Sequence, residues 1–186
     1  NKSFKSIGYR STSSADTEIL ENSDVIVLPG VGSFSYAMKS LNKSNLDEFI
    51  INQSKKRKPI IGICLGMQLL TNSSEEDGMH KGLGIIPGKI KGLENSDFHI
   101  GWNNIETNER ASFIKKFNNH EFFFNHGYAY KGSTKNVLST TKYGKNKFAS
   151  AIIKGSTVGF QFHPEKSQKA GLQILKSTIN YLIRNK

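Results

Sequence analysis

The chain has 186 residues, 36% of them apolar and 22% charged, and its 26 basic and 15 acidic residues leave a net charge of +11. That length suits one compact domain and excludes a full (β/α)₈ barrel, and the composition excludes wholesale disorder. No apolar run approaches the roughly 18 residues needed to cross a bilayer, and a single cysteine excludes an internal disulfide and any multi-cysteine zinc or iron–sulfur site.

Of the basic residues 22 are lysine and only 4 arginine, spread from Lys2 to Lys186. Base readout and phosphate clamps favour arginine. The charge therefore reads as a solvated surface rather than a nucleic-acid footprint, and an acidic protein partner is its better use. The opening Asn1-Lys2-Ser3-Phe4 lacks the apolar stretch of a signal peptide, so the expected compartment is the cytosol.

Residues 1–8 read as part of a helix, where an α/β sheet usually opens with an apolar strand. A strand is therefore expected to precede Asn1 in the natural polypeptide, since an uncovered parallel edge leaves backbone groups unpaired. Asp24-Val25-Ile26-Val27-Leu28-Pro29-Gly30 is a buried strand ended by turn residues. Residues 45–56 carry Leu46, Phe49 and Ile50 at helical spacing. Residues 59–63 form a second buried strand, and a helix begins at 66–70. Strand, helix, strand predicts an α/β fold, a three-layer αβα arrangement about a mainly parallel sheet. After Gly78 the segments 89–93, 98–105, 121–125, 148–153 and 157–162 alternate and are joined by tight turns, some of them antiparallel, which predicts an additional small antiparallel sheet. Residues 167–184 place Leu172, Leu175, Ile179, Leu182 and Ile183 on one helical face.

Gly62-Ile63-Cys64-Leu65-Gly66 sits where a buried strand gives way to a helix, the cysteine version of the nucleophile elbow. Small residues two before and two after the nucleophile let the chain turn sharply, and the helix N-terminus favours a thiolate. The bland reading of Cys64 is a small buried hydrophobe; the flanking glycines argue against it. Such a nucleophile needs a base, and five histidines are available: His80, His99, His120, His126 and His163. His163 ends an alternating strand, and Glu165, two residues on, shares its face with Pro164 fixing the bend. A carboxylate there would hold the imidazole as in a Cys-His-acid triad. Metal binding is the weaker alternative for His163, without a second ligand at zinc spacing. Pro29-Gly30-Val31-Gly32 ends the first strand, and the N–H groups of Val31 and Leu65 are candidates for an oxyanion hole. A phosphate loop is the rival reading there, but the Walker lysine and the G-x-G-x-x-G spacing are both missing.

The pairing of Gly62-Ile63-Cys64-Leu65-Gly66-Met67-Gln68 with Phe162-His163-Pro164-Glu165 resembles the class I glutamine amidotransferases. Leu28-Pro29-Gly30-Val31-Gly32-Ser33-Phe34, His99-Ile100-Gly101-Trp102-Asn103 and the extension Lys166-Ser167 narrow the resemblance to the glutaminase subunits of imidazole glycerol phosphate synthase, over nearly the whole chain. The resemblance implies one amidotransferase domain over residues 1–186, without metal or cofactor, acting as a glutaminase that feeds ammonia to a (β/α)₈ cyclase partner. It implies that Cys64 attacks the glutamine carboxamide, His163 protonates the departing ammonia and Glu165 orients His163. Gly32, Gln68, Gly127 and Tyr128 would hold the substrate, and Trp102 and Lys166 would face the partner. Similar subunits serve sugar-amidating enzymes, and a non-catalytic module on this scaffold is the reading from another class. Two departures stand out. The family's Tyr-Gly-x-Gly-Asn turn is reduced to Asn1, and its His-Ser/Thr-Tyr segment reads His126-Gly127-Tyr128 after Phe122-Phe123-Phe124.

Overall fold

The computed structural model describes residues 1–94 and 98–185. Helix α1 (Lys2–Ser6) meets the helical expectation for residues 1–8, and α2 (Thr17–Glu21) starts where the Asp16 carboxylate accepts from the Glu18 and Ile19 amides. Then come β1 (Ile26–Leu28), α3 (Phe34–Lys43), α4 (Leu46–Lys55), β2 (Ile60–Ile63) and α5 (Leu65–Leu69). Short strands follow: β3 (Ser73–Ser74), β4 (His80–Lys81), β5 (Gly88–Gly92), β6 (His99–Asn104), β7 (Glu106–Thr107) and β8 (Glu121–His126). Next are β9 (Tyr128–Gly132), β10 (Val137–Tyr143), β11 (Asn146–Lys154) and β12 (Thr157–Phe160), before the long helix α6 (Gln168–Arg184).

The central sheet has the order β1-β2-β12-β11-β10-β7. β1, β2 and β12 are parallel, and the antiparallel pairs β12–β11, β11–β10 and β10–β7 extend the same sheet. A second sheet, β4-β3-β5-β9, and an antiparallel ribbon of β6 and β8 pack beside it. Helix α3 and strands β9 and β10 were not legible in the sequence pattern.

Side chains alternate across the sheet, as extended backbone requires. Ile61, Ile63, Val158 and Phe160 point into a core closed by Ile174, Leu175 and Ile179 of α6 and by Phe122 and Phe124 of β8. Ile26, Leu28 and Ile60 point to the other face, under Phe34 and Met38 of α3 and Ile50 of α4. Helices on both faces give the αβα layering. A fully buried aliphatic or aromatic side chain among these, such as Ile60, Phe34 or Phe160, contributes about 1.5–3 kcal/mol relative to exposure.

One gap in that pattern positions the site. On the second face Gly62 of β2 pairs in register with Gly159 of β12, so the sheet has no side chains there. Helix α5 lies down on this bare floor. A Cβ on Gly62 would stand 2.6 Å from the Gly66 carbonyl oxygen, and one on Gly159 would stand 2.6 Å from Met67 Cγ.

Candidate active site

Cys64 is the residue between β2 and α5. Its backbone is forced to φ 52° and ψ −109°, a left-handed-side conformation unusual for a residue with a side chain. Two restraints hold it there. The Cys64 amide donates to the Phe160 carbonyl at 2.7 Å, tying the elbow to β12. On the helix side, Gly66 is pressed against β1, with room for no Cβ: the atom would stand 1.8 Å from the Leu28 carbonyl oxygen. The sharp turn from strand to helix is present, and its strain is held by packing from three strands.

His163 follows β12 and is 2% exposed at its side chain. Its amide donates to the Phe123 carbonyl at 2.8 Å, and its carbonyl accepts from the Ser167 hydroxyl at 2.6 Å and the Lys166 amide at 3.0 Å. The same Ser167 hydroxyl accepts from the Phe123 amide at 2.9 Å. The Pro164–Lys166 turn is thus bolted to β8 and to the start of α6. His163 Nδ1 and Glu165 Oε1 are 2.8 Å apart, and Cys64 is the other side chain whose hydrogen bonding and charge act on the imidazole. Burial works against a charged imidazole, but the hydrogen bonds and charges of Cys64 and Glu165 outweigh it and raise the His163 pKa to about 9. Burial likewise works against the Glu165 carboxylate. The hydrogen bond and charge of His163, its own backbone amide and Lys166 prevail and lower its pKa. At neutral pH this is an imidazolium–carboxylate pair beside the Cys64 sulfur.

The remaining expected residues surround this line. Gly30 packs against Leu65, so the Pro29–Ser33 loop lies along the elbow; Gly32 there has φ +106° and Val31 is 81% exposed. Among the described residues nothing accepts from the Val31 amide. Leu65 is the first residue of α5, where an amide has no intrahelical acceptor. Gln68 is buried one helical turn past Cys64, and its Nε2 donates to the Tyr128 carbonyl at 3.1 Å. Gly127, between β8 and β9, is covered by the Phe98 ring. Trp102 and Phe123 are register partners on the β6–β8 ribbon, with ring centroids 6.1 Å apart, and Lys166 Nζ lies 5.8 Å from the Phe123 centroid. Phe123 in turn sits 6.4 Å from the His163 ring. The two residues expected at a partner face are therefore brought together one side chain away from the candidate base.

Sequence reasoning missed two features. Gln161, fully buried, donates to Cys64 Sγ at 3.9 Å and accepts from Gln68 at 3.3 Å. Its signal was a glutamine between Phe160 and Phe162 at a strand end whose neighbours are all core. The second is a buried histidine pair. His126 Nδ1 bonds the Tyr128 carbonyl at 2.8 Å, and His99 Nδ1 lies 3.3 Å from His126 Nε2. Since a carbonyl only accepts, His126 carries its proton on Nδ1 and offers Nε2 to His99. Burial lowers the pKa of His99 to about 4 and that of His126 to about 3, so both are neutral.

A strained cysteine at a strand–helix elbow, a histidine from a neighbouring parallel strand and a carboxylate two residues on define a class of amide-hydrolysing enzymes. The profile of the class-I glutamine amidotransferases matches residues 3–180, and the chain belongs to that family. More particularly, it is 37% identical over 179 residues to the imidazole glycerol phosphate synthase subunit HisH of Carboxydothermus hydrogenoformans, covering 95% of this chain and 89% of that protein. The subunit of the same name from Sulfurimonas denitrificans is 39% identical over 186 residues, covering 96% and 89%. Among solved structures, a glutamine amidotransferase superposes with a TM-score of 0.73 at 14% identity, over 95% of this chain and 90% of that one, a likeness of fold.

Proposed function

We propose that this chain is the glutaminase subunit of an imidazole glycerol phosphate synthase. In this reading it works in the cytosol as half of a heterodimer, hydrolysing glutamine and passing ammonia to a (β/α)₈ cyclase partner in histidine biosynthesis. The observation that carries the reading is the continuous line Cys64–His163–Glu165, with the sulfur on a strained elbow and the imidazole charged. Relatives named as HisH subunits of that synthase, similar over nearly the whole chain, support the choice of partner.

In this reaction the Cys64 thiolate, paired with the His163 imidazolium, attacks the carboxamide carbon and a C–S bond forms. Negative charge develops on the carboxamide oxygen beside the amides of Leu65 and Val31. His163 gives its proton to the substrate nitrogen, the C–N bond breaks and ammonia leaves. Water then loses a proton to His163 and attacks the thioester, releasing glutamate and restoring the resting pair. Glu165 keeps His163 oriented and stabilises its charge throughout. Gln68, Gly32, Gly127 and Tyr128 line the side on which the amino-acid end of glutamine binds. The partner face is the apolar stripe of Phe98, Ile100 and Trp102, exposed by 61%, 63% and 44%, beside Lys166. The exposed Val31 loop is the element that docking would set, because losing one oxyanion donor costs about 10²–10³ in rate.

The test uses the complex with its cyclase partner and two nitrogen sources. Cys64→Ala should abolish glutamine-dependent turnover and leave ammonia-dependent turnover largely intact, because free ammonia bypasses the thioester. Glutamine-dependent turnover that survives Cys64→Ala would overturn the mechanism. A pulldown that returns a sugar-amidating ligase instead of a cyclase would reassign the acceptor and keep the chemistry.

A further inference from the structure

Among the described residues three polar groups act on the Cys64 sulfur besides its own backbone. Its thiol donates to the Asn125 carbonyl at 3.6 Å, the Gln161 amide donates to it at 3.9 Å, and the His163 imidazole acts on it through hydrogen bonding and charge. A carbonyl accepts from a thiol but offers nothing to a thiolate. As a thiolate the sulfur is faced by two donors, the His163 imidazolium and the Gln161 amide, and when His163 turns its proton to the leaving nitrogen the Gln161 amide is the one that stays.

The orientation of the Gln161 amide is over-determined. Its Oε1 accepts from Gln68 Nε2 at 3.3 Å, which turns its own Nε2 toward the sulfur. Gln68 Nε2 spends its other hydrogen on the Tyr128 carbonyl, and that carbonyl also accepts from His126 Nδ1 at 2.8 Å. His126 is held by His99 at 3.3 Å, and His99 Nε2 lies 3.5 Å from Asn103 Nδ2. Because both histidines are neutral, each ring has one donor and one acceptor, and the chain of bonds has one consistent direction. Gln161 is fully buried on a strand end whose amide donates to the Ser150 carbonyl at 2.9 Å, so neither its backbone nor its side chain is free to turn.

We infer that Gln161 is a positioning residue for glutamine hydrolysis: its amide fixes the Cys64 sulfur and supplies it with an N–H donor while locking Gln68 in register with Tyr128. This rests on Cys64 being the nucleophile, as proposed above. Hydrogen bonds to charged groups are worth more than neutral ones, and a sulfur acceptor at this distance lies at the weak end of that range.

The experiment compares Gln161→Met, which keeps length and burial but has no amide, with Ile179→Ala, a core truncation on helix α6 that removes no hydrogen bond. Three readings are taken on the complex: the rate of Cys64 alkylation by iodoacetamide at neutral pH, glutamine-dependent kcat and KM, and thermal midpoint. Gln161→Met should slow alkylation and lower kcat about tenfold, with ammonia-dependent turnover unchanged. Ile179→Ala should lower the midpoint and leave the alkylation rate of the folded protein unchanged. If Gln161→Met does not fold, Gln161→Asn, which keeps an amide too short to reach the sulfur, should give the same slowing. Wild-type alkylation and kcat in a folded Gln161 variant would overturn the inference. A Cys64→Ala control that stays active would instead overturn the assignment of the nucleophile, so the two failures are distinct.

Discussion

Replacing Gly66 with alanine puts a methyl group where the structure has none to spare. The new Cβ would stand 1.8 Å from the Leu28 carbonyl oxygen and 2.7 Å from its carbon, both backbone atoms of β1 that have no rotamer to escape into. To reach ordinary contact, α5 must retreat from β1 by about 1.5 Å, carrying the Leu65 amide and the Cys64 sulfur with it. Overpacking of this kind costs about 1–3 kcal/mol of stability, and a shift of about 1 Å at reacting groups costs about 10²-fold in rate. Gly66→Ala should therefore stay folded with a lowered melting midpoint and lose about 10²-fold of its glutamine-dependent glutamate release, measured in a coupled assay on the complex. Gly92→Ala is the matched control: its Cβ would meet only Tyr128 Cε1, at 3.9 Å, and both activity and midpoint should be unchanged. A Gly66→Ala protein with wild-type activity would refute the idea that close packing of α5 on β1 sets the elbow.

Glu165→Gln removes the charge that helps hold His163 protonated, so glutamine-dependent kcat should fall by about 10² or more while ammonia-dependent turnover survives. The buried histidines give an acid-side signature. His99 and His126 titrate at about 4 and about 3 when folded and at their ordinary 6.5 when unfolded. The unfolded chain therefore binds more protons between those values; the contribution is complete above pH 6.5 and is lost as pH falls through 4 and 3. Melting midpoints recorded from pH 7 to pH 4 should show a shallower decline in His126→Gln than in the parent. Trp102→Ala should weaken partner binding by about 30-fold in titration calorimetry. Lys166→Ala should chiefly slow association and reduce its dependence on salt, since the lysine is exposed and of the sign that steers an acidic face.

The parts of this fold legible in the sequence are those in which one residue type answers one physical demand. Ile60-Ile61-Gly62-Ile63 reads as a strand buried on both faces because a short β-branched run opened by Pro59 favours extended backbone over helix. Gly62 and Gly66 flag the elbow because a Cβ at either position strikes backbone. His163 and Glu165 are two residues apart, and local geometry alone brings them together. Helix α3 escaped notice because Ser33, Ser35, Ser40 and Asn42 dilute a stripe whose buried members are Phe34 and Met38. Strand β10 was hidden by its polar run of Ser139, Thr140 and Thr141, two of which are buried through partners on other strands: Ser139 bonds Ser150, and Thr141 bonds the Asn104 carbonyl. Gln161 and the His99–His126 pair belong to the same category. Their roles depend on hydrogen bonds between residues far apart in the chain, 93 positions for Gln161 and Gln68, and no local pattern encodes such a pairing.

The most direct test is to trap the covalent intermediate. The complex is treated with a glutamine-analogue electrophile, diazo-oxo-norleucine, and the modified peptide is located by mass spectrometry. A single adduct should map to Cys64, form in step with loss of glutamine-dependent activity and be prevented by excess glutamine. An adduct on any other residue, or full inactivation with Cys64 unmodified, would contradict the assignment of this chain as a thioester-forming glutaminase.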